Sequence, residues 1–230
     1  FGKQFMSFLG LQRSAWTTQI DNYDNLSIIL DAIKRIHVVL LDFCKDMWFY
    51  ISKNYIIQKI VPGETGSSTM PHKVNPILFE NAEGNLELAN SLLEFMSRKL
   101  PISRMQRDLT DSTVLRNLGV IFGHSTVAFQ NILKGFDRIK PNLESLQSDL
   151  QKNEIVITEG IQTILRKYGY EQAYEQVKEF SRKNQSPTAK DIELFIKSLP
   201  IKECVRNELL QISIISYIGY ASDINNGVEL

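Results

Sequence analysis

The chain has 230 residues, of which 43% are hydrophobic, so it can bury a core in one large or two small domains. Its 26 basic and 26 acidic residues cancel and form no block of like charge, which argues against a general nucleic-acid or membrane-surface binder. An anionic ligand must therefore be held by a local site.

The first eleven residues have no basic region, no long apolar run and no small-residue cleavage site, so they are not a signal peptide. Phe5, Phe8 and Leu9 recur at helical spacing without a capping residue before them, which predicts that the chain starts inside a helix of a longer protein. Cys44 and Cys204 lack metal-like spacing with a histidine, which favours two reduced thiols in a cytoplasmic protein over a disulfide.

The longest periodic segment, residues 26–53, predicts a helix of about seven turns. Asp24 or Asn25 is placed to cap its start. Its charged residues, among them Lys34 and Arg35, are too costly for a membrane span. We therefore expect a helix in water that needs packing partners along its length.

Two further long helices are predicted after a break at Pro62 and Gly63. One opens at Asn75-Pro76, where proline tolerates the first helical position, and runs to about residue 98. The other extends from about residue 112 to 134 and carries Gly119 and Gly123 on one face, which predicts a close approach of another helix. Three long helices in tandem indicate a bundle.

Beyond residue 140 the pattern changes to shorter helices, predicted at about 142–152, 159–168, 171–182, 188–198 and 201–212. No strand-like alternation of useful length occurs. The sequence therefore predicts an all-α fold with two domains. Residues 1–139 form part of a central helical bundle that includes a polar loop at 63–76, and residues 140–230 form a small all-helical domain.

The polar loop, GETGSSTMPHKVNP, combines glycine, hydroxyl groups, a lysine and an amide immediately before a helix. Such loops bind anions, because the helix start adds free N–H groups and the positive end of its dipole. On composition alone, a glycine-rich turn with a capping asparagine explains the same residues.

The sequence GSSTMPHKVNP at 66–76, followed by Glu80, resembles the loop of the fumarase and aspartase superfamily. The stretches TTQI at 17–20 and QRDLTDSTVLRN at 106–117 resemble the adenylosuccinate lyases of that superfamily, of the bacterial type. The resemblance runs through the predicted bundle and more weakly through the last third. It implies the superfamily's long-helix bundle, a small-molecule substrate and a homotetramer whose active sites are each built from three subunits. We expect no metal and no cofactor.

The reaction implied by the resemblance is an anti elimination that releases fumarate, from adenylosuccinate to give AMP and from SAICAR to give AICAR, in purine nucleotide biosynthesis. By motif position, Ser67 is the base that removes a proton from the succinyl carbon. Lys73 and Asn75 are placed to bind the carboxylate of the intermediate, and Ser68 to hold the same end of the substrate. Glu80 orients and charges the catalytic acid, a histidine on another segment.

The histidine that serves as the acid is absent from this chain, since none of its three histidines fits that position. His37 and His124 are predicted to be structural, and His72 lies within the loop without an assigned role. The fragment alone is therefore expected to be inactive.

The resemblance assigns nucleotide binding to a second group of residues, namely Gln19, Asn81, Arg107, Ser112 and Arg116. Both arginines and Ser112 suit the 5′-phosphate, because the planar guanidinium matches phosphate oxygens. The alternatives are a loop salt bridge for Arg107 and a surface position for Arg116.

Two other functions remain as alternatives. One is a non-catalytic structural or assembly protein, which the intact set Ser67, Lys73, Asn75 and Glu80 disfavours. The other is a sister fumarate-releasing lyase such as argininosuccinate lyase, which the stretch at 106–117 disfavours.

Overall fold

A computed structural model describes residues 1–59 and 74–227. The chain divides into two compact units, Phe1–Pro141 and Asn142–Leu230, and each is described by itself. Both units are helical, which confirms the predicted all-α class.

The first unit contains five helices and two short strands among its described residues: α1 (Gly2–Phe8), α2 (Asp24–Ser52), β1 (Ile56–Gln58), α3 (Ile77–Lys99), α4 (Thr110–Leu115), α5 (Leu118–Asp137) and β2 (Ile139–Pro141). Helix α3 packs along both α2 and α5 and forms the centre of the bundle. Among the described helices, none is both long and apolar enough to cross a membrane.

The core of the bundle follows from the spacing of apolar residues on α3. Residues buried to at least 99% recur at intervals of three and four along the helix: Phe79, Ala82, Leu86, Ala89, Leu93 and Met96. This spacing places all six on one face. Leu30 and Cys44 of α2 and Ile121 and Ala128 of α5 pack against that stripe.

The start of α2 differs from the prediction. Neither Asp24 nor Asn25 caps the helix, since α2 already includes both, and the N-cap position is Tyr23 with φ 61° and ψ 14°. A tyrosine in the left-handed region costs of order 1–3 kcal/mol and persists only where its surroundings hold it. The prediction failed because a capping side chain was assumed and a backbone turn is used instead.

The predicted third helix is two helices, because the chain turns at Arg116 and Asn117 between α4 and α5. The proline of the preceding helix also differs from expectation, since Pro76 occupies the N-cap and α3 begins at Ile77.

The predicted close approach at Gly119 and Gly123 is absent from this chain, since a Cβ at either position would meet no described atom within 4 Å. The close approach occurs instead at Gly135, where a Cβ would lie 2.7 Å from the Phe79 ring. Gly135 therefore gives α5 access to the aromatic core formed by Phe79 and Phe43.

Gly135→Ala should destabilise the first unit by about 1–3 kcal/mol, because the Phe79 ring must move out of its packed position. Gly84→Ala in α3 is the matched control: its Cβ would enter open space, so helix propensity alone should stabilise the unit by up to about 1 kcal/mol. Urea unfolding monitored by tryptophan fluorescence measures both, since Trp16 and Trp48 lie in this unit. Equal effects of the two substitutions would contradict the contact.

The first unit also contains two three-residue strands, which are too short to predict from alternation of apolar and polar residues. β1 and β2 pair antiparallel, with Ile56 opposite Pro141 and Gln58 opposite Ile139. The Lys59 N–H extends the pairing by donating to the Arg138 carbonyl at 2.7 Å. The strand that leads into the polar loop is thereby tied to the chain that follows α5.

The second unit contains six further helices and a 3-10 turn among its described residues: α6 (Leu143–Lys152), the 3-10 turn Glu154–Ile157, α7 (Thr158–Lys167), α8 (Ala173–Lys183), α9 (Ala189–Ser198), α10 (Glu203–Gln211) and α11 (Ala221–Asn225). Ile161, Leu165 and Leu209 lie at the centre of its core. Gly169 follows α7 with φ 80°, as a helix-terminating glycine requires.

Candidate active site

The predicted site residues fall into three groups in the structure. Ser67, Ser68 and Lys73, together with His72, lie outside the described residues. Asn75, Glu80 and Asn81 lie at the start of α3, and Gln19, Arg107, Ser112 and Arg116 lie on segments near its other end.

Glu80 lies in the first turn of α3 and is exposed. Its Oε1 accepts a hydrogen bond of 3.0 Å from the indole Nε1 of Trp48, on α2. One turn farther along, Glu83 lies 3.5 Å from the Lys45 ammonium group. Two contacts from α2 thus fix the acidic face at this end of α3. The Trp48 side chain is 47% exposed.

Asn81 belongs to a polar network between α3 and α5. Its side-chain oxygen accepts hydrogen bonds from Asn131 Nδ2 at 2.7 Å and Asn85 Nδ2 at 3.0 Å. Asn85 Oδ1 in turn contacts Nδ1 of His124 at 2.7 Å. Because the Asn81 oxygen is committed to two donors, its amide group is the part that can donate to a ligand.

His37 is fully buried between the three long helices, which agrees with its predicted structural role. Its Nδ1 lies 3.0 Å from Asn90 Oδ1, and its ring packs edge-on against Phe129. Among the described residues its Nε2 has no hydrogen-bond partner. Burial lowers the pKa of His37, and the bond to Asn90 offsets that only in part, so the ring is neutral.

The stability of the first unit should fall as the pH drops below about 6.5, the ordinary pKa of histidine. The folded-state pKa of His37 is lowered, so the unfolded chain takes up the proton first and unfolding is favoured. His37→Leu should reduce the difference in unfolding free energy between pH 7.5 and pH 5.5, as urea titrations would measure. An unchanged difference would assign the pH dependence to another group.

At the other end of the bundle, Arg107 and Arg116 are exposed, and neither guanidinium forms an ion pair with a carboxylate within residues 1–59 and 74–227. The structure therefore does not bear out the alternative that Arg107 makes a loop salt bridge. Ser112 is half-buried, and its hydroxyl donates to the Leu109 carbonyl at 2.9 Å. Ser112 and Arg116 are four residues apart on one helical turn, and a hydroxyl beside a guanidinium suits a phosphate.

The segment that carries Gln19 lies beside the segment that carries the arginines. The Tyr23 hydroxyl donates to Asp111 Oδ2 at 3.0 Å, across 88 positions of sequence. Burial and then the bond to Asp111 raise the pKa of Tyr23, which keeps the hydroxyl protonated as a donor. Neither Tyr23 nor Asp111 was assigned a role from sequence, although Asp111 lies within the stretch 106–117.

The two described groups of site residues lie at opposite ends of α3. Asn81 and Lys99 are 18 residues apart on one continuous helix, which corresponds to about 27 Å. Hydrogen bonds from the antiparallel helix α2 mark the same two ends. Trp48 donates to Glu80 near the start of α3, and Ser27 donates to the Ser97 carbonyl near its end. The chain therefore places the predicted site residues of the described ranges in two separate groups.

The two cysteines are free thiols. Cys44 is buried in the bundle, and burial raises its pKa to about 11, with a further contribution from Glu83. Such a thiol is unreactive at neutral pH. Within the described ranges, no three His, Cys, Asp or Glu side chains gather as metal ligands would.

Comparison with known proteins identifies the relatives of the chain. The family model described as "Adenylosuccinate lyase C-terminal" matches residues 103–218, and the one described as "Lyase" matches residues 2–88. Adenylosuccinate lyase of Dictyostelium discoideum is 51% identical over 227 residues, which cover 97% of this chain and 49% of that protein. Adenylosuccinate lyase of Escherichia coli (strain K12) is 45% identical over 221 residues, which cover 96% and 48%.

Solved structures show the same fold at lower identity. The 3-carboxy-cis,cis-muconate lactonizing enzyme of Pseudomonas putida superposes with a TM-score of 0.65 at 19% identity, over 91% of this chain and 48% of that one. Class II fumarase of Schistosoma mansoni superposes with a TM-score of 0.58 at 18% identity, over 74% and 36%. The chain spans about half the length of the curated relatives it matches. On these matches, the chain belongs to the adenylosuccinate lyase family.

Proposed function

We propose that the complete protein containing this chain is a cytoplasmic adenylosuccinate lyase. It eliminates fumarate from adenylosuccinate to give AMP, and from SAICAR to give AICAR. The observation that carries the proposal is a group of residues at one end of the bundle that can bind a phosphate. Arg107 and Arg116 are exposed there without ion pairs in the described ranges, and Ser112 lies one helical turn before Arg116. A substrate with a 5′-phosphate matches that group, whereas argininosuccinate and fumarate carry no phosphate.

In the proposed mechanism, ionised Ser67 takes the proton from the succinyl carbon. The electron pair of that C–H bond first spreads into the adjacent carboxylate. It then forms the double bond of fumarate as the C–N bond breaks, and the departing nitrogen receives a proton from the acid. A serine hydroxyl is a weak base, so nearby positive charge is needed to ionise it, and Lys73 supplies it. Lys73 and Asn75 also stabilise the charge that spreads into the carboxylate of the intermediate, and Ser68 holds that end of the substrate.

Glu80 acts in this mechanism by orienting a histidine acid that the chain does not contain. The 3.0 Å bond from Trp48 supports this role, because it fixes one carboxylate oxygen and leaves the other to accept from an imidazole. Asn81, with its oxygen held by Asn85 and Asn131, donates its amide hydrogens to the nucleotide.

The proposed assembly is a homotetramer in which different subunits complete each site. The placement of the two described groups of site residues near opposite ends of α3 supports this. Large apolar side chains exposed along the long helices also support it, since monomers seldom expose so many: Ile29, Ile36, Val39, Leu88, Phe95, Val127 and Leu133. Gly119 and Gly123, open within this chain, suit a helix from another subunit.

The test is the ultraviolet absorbance change when adenylosuccinate is added to the complete protein. Loss of substrate with matching amounts of AMP and fumarate would establish the reaction, and a panel with argininosuccinate and fumarate would separate the sister lyases. The 230-residue chain alone should show no turnover, because it lacks the histidine acid. No reaction in a folded, tetrameric sample of the complete protein would favour the structural alternative.

A further inference from the structure

Two segments of the first unit carry the proposed nucleotide-binding residues, and most of their length has no regular secondary structure. Residues 9–23, which include Gln19, precede α2, and residues 100–109, which include Arg107, follow α3. A phosphate and a base can be bound together only if the distance between such segments is fixed. The structure must therefore contain contacts that hold one segment against the other.

The Tyr23–Asp111 hydrogen bond joins the end of the first segment to the first turn of α4, which directly follows the second segment. Asp111 is 92% buried, and both of its carboxylate oxygens are used: Oδ2 accepts from the Tyr23 hydroxyl at 3.0 Å, and Oδ1 accepts from the Ser112 N–H at 2.7 Å. Asp111 thus connects Tyr23 to the residue next to it, a proposed phosphate ligand. A pocket of about 40 Å³ beside this contact is lined from both segments, by Thr18 and Ile20 on one side and Ser103 and Asp108 on the other.

The backbone conformation of Tyr23 indicates that the Tyr23–Asp111 contact holds this part of the chain in a defined place. Tyr23 adopts φ 61°, a conformation that a non-glycine residue holds only when its surroundings determine it. Its N–H donates to Asp21 Oδ2 at 3.0 Å, its ring packs on the cluster around Leu30, and its hydroxyl reaches Asp111. The direction of the chain from Gln19 into α2 is set at this residue.

We propose that Tyr23 and Asp111 are positioning residues for nucleotide binding, which hold the Gln19 segment at a fixed distance from Ser112 and Arg116. The proposal rests on the proposed function. Neither residue touches the reacting atoms, so loss of the bond should weaken binding of the nucleotide and leave the elimination step itself intact.

The test uses Tyr23→Phe in the complete protein, because phenylalanine keeps the ring in the core and removes only the hydroxyl. We expect the KM for adenylosuccinate and the Kd for AMP, measured by calorimetry, each to rise about tenfold, with kcat within about twofold of wild type. Asp111→Ala should act in the same direction. The double variant should bind AMP no more weakly than Asp111→Ala alone, since Asp111→Ala already removes the bond that Tyr23→Phe removes.

Tyr168→Phe is the matched control. It removes a tyrosine–carboxylate hydrogen bond of 2.6 Å to Glu208, in the second unit, and should leave KM unchanged. If Asp111→Ala does not fold, Tyr23→Phe decides the question alone. A lower kcat with unchanged KM and unchanged AMP affinity would overturn the proposal, as would wild-type constants in Tyr23→Phe. Absence of turnover in the wild-type protein would instead refute the proposed function.

Discussion

Ser67→Ala in the complete protein should lower kcat by about 10²–10⁴-fold, the range that a positioned general base contributes. Alanine removes the group that accepts the succinyl proton and leaves the phosphate and base contacts intact. The affinity for AMP should therefore stay within about twofold of wild type. Initial rates of fumarate formation, with AMP titrated by calorimetry, measure the two quantities separately.

Ser91→Ala is a suitable control for Ser67→Ala. Ser91 is exposed on α3, and within residues 1–59 and 74–227 its hydroxyl bonds only to the Glu87 and Leu88 carbonyls of its own helix. The Ser91→Ala variant should keep the wild-type rate. A Ser67→Ala variant with an unchanged rate would remove Ser67 from the role of base, whereas a variant that loses both rate and AMP affinity would point to damage to the fold.

Two inactive variants should restore activity when they are combined in one tetramer. Ser67→Ala disables the loop that precedes α3, and Arg116→Ala disables the group of site residues at the opposite end of the helix. If each site draws these residues from different subunits, random assortment leaves some sites with both groups intact. Co-expression of equal amounts should give about a quarter of wild-type activity, because each intact group is present with a probability of about one half.

The comparison needed is between co-expressed proteins and separately purified variants mixed just before the assay. Exchange of subunits is slow for a large apolar interface, so the mixture should stay near background while the co-expressed tetramers are active. Activity no higher than the sum of the two parents in the co-expressed sample would show that one chain supplies both residues to the same site.

The fold could be predicted from sequence to the extent that apolar periodicity determines it. The apolar residues from Phe79 to Met96 recur at intervals of three and four, and this spacing predicts a helix with one buried face. The exact starts of helices and the turns between them were less predictable. The turn at Arg116–Asn117 contains neither glycine nor proline, and the start of α2 is set by the backbone of Tyr23 instead of a capping side chain.

Two other features could not be read from the sequence because they depend on contacts between distant segments. The glycine that permits close packing is Gly135, opposite Phe79, and spacing alone pointed to Gly119 and Gly123. The strands β1 and β2 have three residues each, and neither alternates enough to be recognised without its partner.

The positions of the predicted site residues on the helices could be read from the sequence more readily than the contacts that hold their side chains. The motif placed Glu80 and Asn81 at the start of a helix, where the structure has them. The side chains that hold them, Trp48 and Asn131, come from other helices, and nothing in the motif names them. Residues that orient a functional group are recognised by distance in space, which sequence spacing does not record.

The pairing of β1 with β2 determines where the gene can be divided. A first unit ended at residue 139, the boundary that sequence texture suggests, would lack Lys140 and Pro141 and so lose most of the strand opposite β1. The backbone of Ile56 and Ile57, at the entrance to the loop that carries Ser67, would then exchange its amide protons with solvent freely. Expressed fragments, split-protein reporters and domain grafts should keep Pro141 with the helices that precede it.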